Sequence, residues 1–198
     1  PMCGRYTLKH VEALEEMLAS ITGERRVIKP RYNVAPTQAS PVVRSGDRLE
    51  ASELKWGNFV TFRPGDKPVF LINARSETAA EKKTFKDSVQ ERRCIVPADG
   101  FFEWQRSEGG KVKVPFHIRL KGERPFWIAG LHWPASDDQP ERYILLTTGP
   151  NKLMEAIHDR MPMLLTPDTW DTWLDRDVDD LDLLATFLVA APSELITL

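Results

Sequence analysis

Val11, Leu14, Met17, Leu18 and Ile21 recur at helical spacing, so residues 10–21 are predicted to form an amphipathic helix, ended by Gly23. The stretch through Pro30, Pro36 and Pro41 then reads as extended loop. Alternating or β-rich runs follow at 41–45, 51–56 and 69–73. Residues 78–90 read as a second helix with Lys82, Lys83 and Lys86 outward. Strands are predicted at 93–96, 100–105, 113–120, 125–131 and 142–148, with Gly109-Gly110 turning the hairpin between the second and third of these. Asn151 to His158 reads as a short helix that Pro162 cannot continue, and 167–174 and 179–188 as two further helical pieces, the latter opened by an acidic turn. Many short strands with interspersed helices define an α+β fold, expected as a curled, barrel-like, mostly antiparallel sheet flanked by short helices.

At 198 residues and 41% hydrophobic, the chain is long enough for one domain with a full core, and with no repeat, low-complexity tract or Gly/Ser linker a single domain over 1–198 is expected. Nothing resembles a signal peptide or a run of transmembrane length, so no membrane association is expected. Cys3 and Cys94 read as free thiols of a reducing compartment, giving an expected cytoplasmic location, nucleoid-associated if the source is bacterial. The net charge of −2 hides an asymmetry: residues 1–131 hold 23 Lys and Arg against 16 Asp and Glu, a balance of +7, whereas 132–198 hold 4 against 13, a balance of −9. Such a split is what a protein with one anion-binding face would show, though solvated basic residues are the commoner explanation of any single cluster. The acidic run Asp175, Asp177, Asp179, Asp180 and Asp182 would repel a nucleic-acid backbone and is expected away from any such face. There is no Walker A loop, dinucleotide fingerprint or Gly-x-Ser-x-Gly elbow, and His10, His117, His132 and His158 lack paired metal-ligand spacing, so neither cofactor nor metal is expected.

Cys3 carries the most pointed chemistry. Pro1 before an initiator-like Met2 reads as an added residue, and removing both would leave a cysteine with a free α-amine. Such a 1,2-aminothiol reacts with an aldehyde twice, through an imine and then a five-membered thiazolidine. Ordinary pKa values of about 7.7–8.0 for the amine and about 8.5 for the thiol leave both groups a reactive fraction near neutrality. With Pro1-Met2 in place the amine is acylated and the chain is expected to be a blocked form. A lone terminal thiol of no consequence is the plainer alternative.

Five motifs weigh against that alternative: Cys3-Gly4-Arg5-Tyr6, Arg31-Tyr32-Asn33-Val34-Ala35-Pro36-Thr37, Asn73-Ala74-Arg75-Ser76-Glu77-Thr78, Pro97-Ala98-Asp99-Gly100-Phe101-Phe102-Glu103-Trp104 and Ile157-His158-Asp159-Arg160-Met161-Pro162. In this order, from Cys3 to about Leu174, they resemble the SRAP family, the SOS response-associated peptidases or abasic site processing proteins. The resemblance implies a single SRAP-like domain whose partner is single-stranded DNA containing abasic sites, and a monomer is expected. It implies that Cys3 supplies amine and thiol for a durable thiazolidine crosslink, with self-processing peptidase activity or an aminopeptidase exposing it.

The resemblance assigns Asn73 to holding the opened sugar, although a turn-capping role reads equally well. For Glu103, strand alternation puts Phe101 and Glu103 on one face and Phe102 and Trp104 on the other, and a carboxylate among aromatics is costly to ionise, which suits proton exchange; a water-facing edge glutamate is the alternative. His158 is read at the last turn of its helix, where the dipole favours a protonated ring, and the resemblance makes it a second proton donor. Arg5, Arg75 and Arg160 each follow a chemical group by two residues, and the resemblance implies that they line the phosphate path. Lys29, Arg31, Lys82, Lys83 and Lys86 are candidates for peripheral steering, with solvated surface the commoner reading. Asn33, Pro36 and Thr37 are implied to flank the cleft, or else serve turn chemistry. Trp56-Gly57 opens a segment that in the family usually continues to a Pro and a second Trp; here Val60 and Phe62 stand in those places, and Trp56 and Phe62 are candidate stacking residues, Trp56 equally a core residue. Two other functions remain open: a non-covalent reader of modified bases, indifferent to the N-terminal amine, and a cysteine peptidase on other proteins, using Cys3 with His158 or Glu103.

Overall fold

In a computed structural model, the structure describes residues 3–46, 48–106, 113–166, 169–180, 183–184, 186 and 190–198. In chain order the strands are β1 (Arg5–Leu8), β2 (Arg31–Val34), β3 (Ala39–Arg44), β4 (Glu50–Trp56), β5 (Asn58–Val60), β6 (Val69–Leu71), β7 (Asn73–Arg75), β8 (Arg93–Ala98), β9 (Gly100–Arg106), β10 (Lys113–Leu120), β11 (Phe126–Trp133), β12 (Arg142–Thr148), β13 (Met161–Pro162), β14 (Leu164–Leu165) and β15 (Ile196–Thr197). The helices are α1 (Val11–Thr22), α2 (Ser76–Ala79), α3 (Lys83–Glu91) and α4 (Trp170–Leu174), with short 3₁₀ turns at Met154–Ala156 and Ser193–Leu195.

Five strands close on themselves in the order β12-β4-β3-β8-β11 and back to β12, with only the β4–β12 pairing parallel. Closure leaves no free edge among these strands. Every residue of β8 is buried, as are Tyr143 to Thr148 of β12, which accounts for their apolar sequences. The barrel seam between β11 and β12 requires Gly130: a Cβ there would sit 2.7 Å from the Ile144 carbonyl oxygen and 3.0 Å from Cys94 Sγ. β7 and β13 attach to β12, and β14 to β11.

A second, antiparallel sheet runs β15-β10-β9-β1-β2. Two polar clusters bind it to the barrel. Tyr6 Oη donates to Ser40 Oγ at 2.6 Å and shares a 2.8 Å hydrogen bond with Tyr143 Oη, joining β1 to β3 and β12. Asp99, fully buried between β8 and β9, accepts Thr7 Oγ1–H at 2.5 Å and the Lys9 and His10 N–H groups at 2.5 and 2.6 Å. These contacts hold the whole of β1 in register and anchor the start of α1. Buried Arg93 joins α3 to α4 by donating to the carbonyls of Val89, Gln90, Trp173, Asp175 and Val178.

The expected architecture holds, and so does the first helix, which Gly23 ends in the left-handed region at φ 75°. Four local expectations do not. The stretch after α1 contains β2, because β1 offers it a partner. Residues 69–73 divide at Ile72 between β6, paired with β5, and β7, paired with β12, so Asn73 opens a strand rather than closing one. The second helix begins at Ser76 and breaks after Ala79, since Glu81-Lys82-Lys83 is exposed and offers no apolar face; Lys82, Lys83 and Lys86 do face outward. Residues 151–158 give only one 3₁₀ turn, Met154–Ala156; Asn151 Oδ1 caps it by accepting the Met154 N–H, but the chain must reach β13 at Met161. Gly109-Gly110 and Pro1-Met2 lie outside the described residues, as does most of the 179–188 prediction; of 167–174 the described helix is α4. Among the described residues no helix is long and apolar enough to cross a membrane.

Gly130→Ala is expected to cost about 1–3 kcal/mol, because the new methyl meets backbone in a closed barrel. Urea unfolding reads it; an unchanged midpoint would mean that the β11–β12 seam gives way freely.

Candidate active site

β9 presents its side chains as alternation dictates: Phe101 and Glu103 are each 1% exposed, while Phe102 and Trp104 are half-buried on the other face. A carboxylate so deeply buried needs donors. The chain supplies them by turning at Cys3, whose φ of 44° is uncommon for any residue but glycine. The Cys3 backbone nitrogen then donates to Glu103 Oε1 at 2.5 Å. Its buried thiol feels the same carboxylate: burial pushes the thiol well above its usual range, the nearby Glu103 carboxylate pushes it further, and the Arg160 charge opposes them. The backbone nitrogen and the thiol of Cys3 therefore both face one carboxylate, in surroundings that favour the protonated thiol.

His158 approaches from the other side, its Nε2 4.0 Å from Glu103 Oε2. The helix expected before it is a single 3₁₀ turn, Met154–Ala156, with Ile157 as its C-cap. His158 Nδ1 has two neighbours, the Arg160 backbone N–H at 3.1 Å and Asp159 Oδ1 at 2.9 Å. A donor and an acceptor thus compete for Nδ1: the Arg160 N–H favours the neutral tautomer with its proton on Nε2, and Asp159 Oδ1 favours a proton on Nδ1.

Arg160 is 8% exposed. Nη1 donates to Glu77 Oε1 at 2.6 Å, and Nη2 to Glu77 Oε2 at 2.8 Å and the Thr147 carbonyl at 2.6 Å. The guanidinium holds the Glu77 carboxyl below its usual range. Nη1 and Nη2 thus stand on Glu77 and Thr147, while the buried Nε has no hydrogen-bond partner among the described residues. Thr147 is in register with Arg75, and Leu145 with Asn73, so β12 brings these residues of β7 to the side of the Arg160 cluster.

Cys3, Glu103, His158 and Arg160 form one connected group. Arg75 is exposed, and Arg5 is half-buried, with Nη1 on the Gly4 carbonyl at 2.7 Å. Asn33 is exposed on the edge strand β2; Pro36 and exposed Thr37 form the next turn, where Thr37 has φ 75° and donates its N–H to the Trp56 carbonyl at 2.8 Å. Phe62 is 50% exposed between β5 and β6. Trp56 corrects the sequence expectation: it is fully buried, stacked on Tyr143, tilted against Tyr6, and donates its indole N–H to Ile72 O at 3.0 Å, so it is unavailable to a base. Glu77 is the residue that sequence reasoning misses; it lies inside the Asn73–Thr78 motif, where only Asn73 and Arg75 stand out. Among the described residues no group of three His, Cys, Asp or Glu could hold a metal ion. An apolar cavity of about 620 Å³, lined by Met17, Ile21, Phe126, Leu165, Trp170 and Leu195, includes none of the candidate catalytic residues.

This fold and site define a class, and the comparisons agree on it. Residues 2–198 match the family described as SOS response associated peptidase (SRAP), and the chain belongs to that family. It is 37% identical to the abasic site processing protein YoqW of Bacillus subtilis (strain 168), over 94% of this chain and 86% of that protein. It is 33% identical to the abasic site processing protein YedK of Escherichia coli (strain K12), over 89% and 81%. Among solved structures it superimposes on a phage-related protein of Bordetella bronchiseptica with a TM-score of 0.78 at 27% identity, covering 98% of this chain and 92% of the other.

Trp56→Ala is expected to cost about 3–5 kcal/mol of stability, whereas Phe62→Ala should stay within about 0.5 kcal/mol. Urea unfolding of both variants checks the assignment of Trp56 to the core; equal effects would contradict it.

Proposed function

We propose that this protein acts on abasic sites in single-stranded DNA and, once Cys3 is exposed, joins itself to the ring-opened aldehyde as a thiazolidine. The observation that carries the reading is the placement of the Cys3 nitrogen and thiol on the single carboxylate of Glu103. The names of the relatives, abasic site processing proteins, support the substrate.

The chemistry follows the contacts. Hydrolysis of the Met2–Cys3 peptide bond, by the protein itself or by an aminopeptidase, consumes one water and frees the α-amine. Glu103 accepts a proton from the ammonium form, and the neutral amine attacks the aldehyde carbon. Loss of water gives the imine. The thiol, protonated until then, adds to the imine carbon while its proton passes by way of Glu103 to the nitrogen; the ring closes with net loss of one water from amine, thiol and aldehyde. His158 supplies a proton to the sugar oxygen during ring opening, and Asn73 steadies the opened sugar. Arg5 and Arg75 hold phosphates beside the lesion, the charge of Arg160 offsets the negative site, and Asn33, Pro36, Thr37 and Phe62 flank the strand.

A peptidase working through a Cys3 thiolate fits less well, because this thiol is held protonated by burial and by a carboxylate rather than activated by an imidazole. A non-covalent base reader gives no reason for the Cys3–Glu103 contact.

The test mixes an abasic single-stranded oligonucleotide with protein beginning at Cys3 and with protein retaining Pro1-Met2, followed on a denaturing gel. A heat-stable shift with the exposed cysteine alone is expected, slowed roughly 100-fold or more by Glu103→Gln. A covalent shift with neither preparation, beside native binding by both, contradicts the covalent mechanism.

A further inference from the structure

We infer that Glu77 is a positioning residue of this site, which through Arg160 sets the tautomer of His158. The inference rests on the proposed capture reaction for its kinetic consequence, and on the contacts alone for its structural part.

Arg160 does three things at once. Its side chain is gripped by Glu77 through two hydrogen bonds, at 2.6 and 2.8 Å, and by Thr147 O at 2.6 Å. Its backbone N–H donates to His158 Nδ1 at 3.1 Å. Its charge reaches the Cys3 thiol. A bidentate carboxylate–guanidinium pair is directional, so it fixes the plane of the group and, together with the Met161–Thr148 pairing of β13, steadies the segment that carries it. Glu77 is itself held: it lies in α2, directly after β7, and Oε1 also accepts the Gly149 N–H at 3.1 Å. The carboxylate thus bridges the end of β7, the end of β12 and the segment bearing His158.

Removing that charge has a directed effect. Glu77→Gln keeps one acceptor but turns an NH₂ toward a guanidinium that is 8% exposed. A buried cation left half-paired moves toward solvent. The Arg160 backbone N–H then leaves His158 Nδ1, and Asp159 Oδ1, now 2.9 Å away, becomes the remaining partner. A carboxylate accepts only, so Nδ1 must carry the proton, and the Nε2–H that faced Glu103 is lost or accompanied by a second ring proton.

Glu77 is about half exposed, so the exchange should leave the fold intact. The first readout is the pair of ¹⁵N imidazole signals of His158 in protein without DNA. Wild type is expected to show Nδ1 unprotonated and Nε2–H, and Glu77→Gln to shift toward protonated Nδ1. The second is single-turnover capture of an abasic single strand by protein beginning at Cys3. The maximal rate should fall roughly 10- to 100-fold, with the half-saturating DNA concentration within about twofold of wild type. Glu77→Asp, which keeps the charge on a shorter arm, should fall between the two. Unchanged imidazole signals in Glu77→Gln overturn the inference, as does a loss confined to half-saturation, which would make Glu77 part of the DNA contact. If wild-type protein captures nothing, the proposed function fails, and the imidazole signals still decide whether Glu77 sets the His158 tautomer.

Discussion

A carboxylate 1% exposed to solvent is the constraint on which this site is built. Burying Glu103 is unfavourable unless donors surround it, and the fold assembles them from distant parts of the chain. The turn at Cys3 delivers a backbone N–H to one oxygen and sets the thiol beside the carboxylate, while His158 Nε2 stands 4.0 Å from the other oxygen. The positive φ at Cys3 coincides with the hydrogen bond from its nitrogen to Glu103. In the proposed reaction the oxygen that now accepts an amide N–H takes a proton from the ammonium group.

The two sheets divide the labour of holding that contact. The open sheet carries Glu103 on β9 and leads to Cys3 through β1, whose register is locked by Asp99 and Thr7. The closed barrel carries β12, where β7, β13 and the Arg160 side chain all attach. Tyr6, Ser40 and Tyr143 bolt one to the other.

Local patterns are legible wherever burial is one-sided or complete. The apolar face of α1, its glycine end, and the strands β11 and β12 follow directly from the order of apolar residues. The alternation about Phe101 to Trp104 correctly turns Glu103 inward. What the sequence hides depends on partners remote along the chain. The 151–158 segment has helical spacing but forms only one 3₁₀ turn before the chain enters β13; Asn73 changes strands because β12 competes with β5 for that stretch. Trp56 and Phe62 look alike as aromatic residues flanking a turn, and only tertiary packing separates a core indole from an exposed ring. Glu77 is hidden for the same reason: its partner, Arg160, is 83 residues away.

The central claim, that both reactive atoms of Cys3 converge on one aldehyde carbon, is most directly tested by intact mass spectrometry of the DNA adduct, with and without iodoacetamide. Protein beginning at Cys3 should gain the mass of the oligonucleotide less one water without any reductant, and Cys3 in the adduct should resist alkylation because its sulfur is inside the ring. An adduct that survives only after borohydride reduction, or one whose Cys3 still alkylates, would contradict the account.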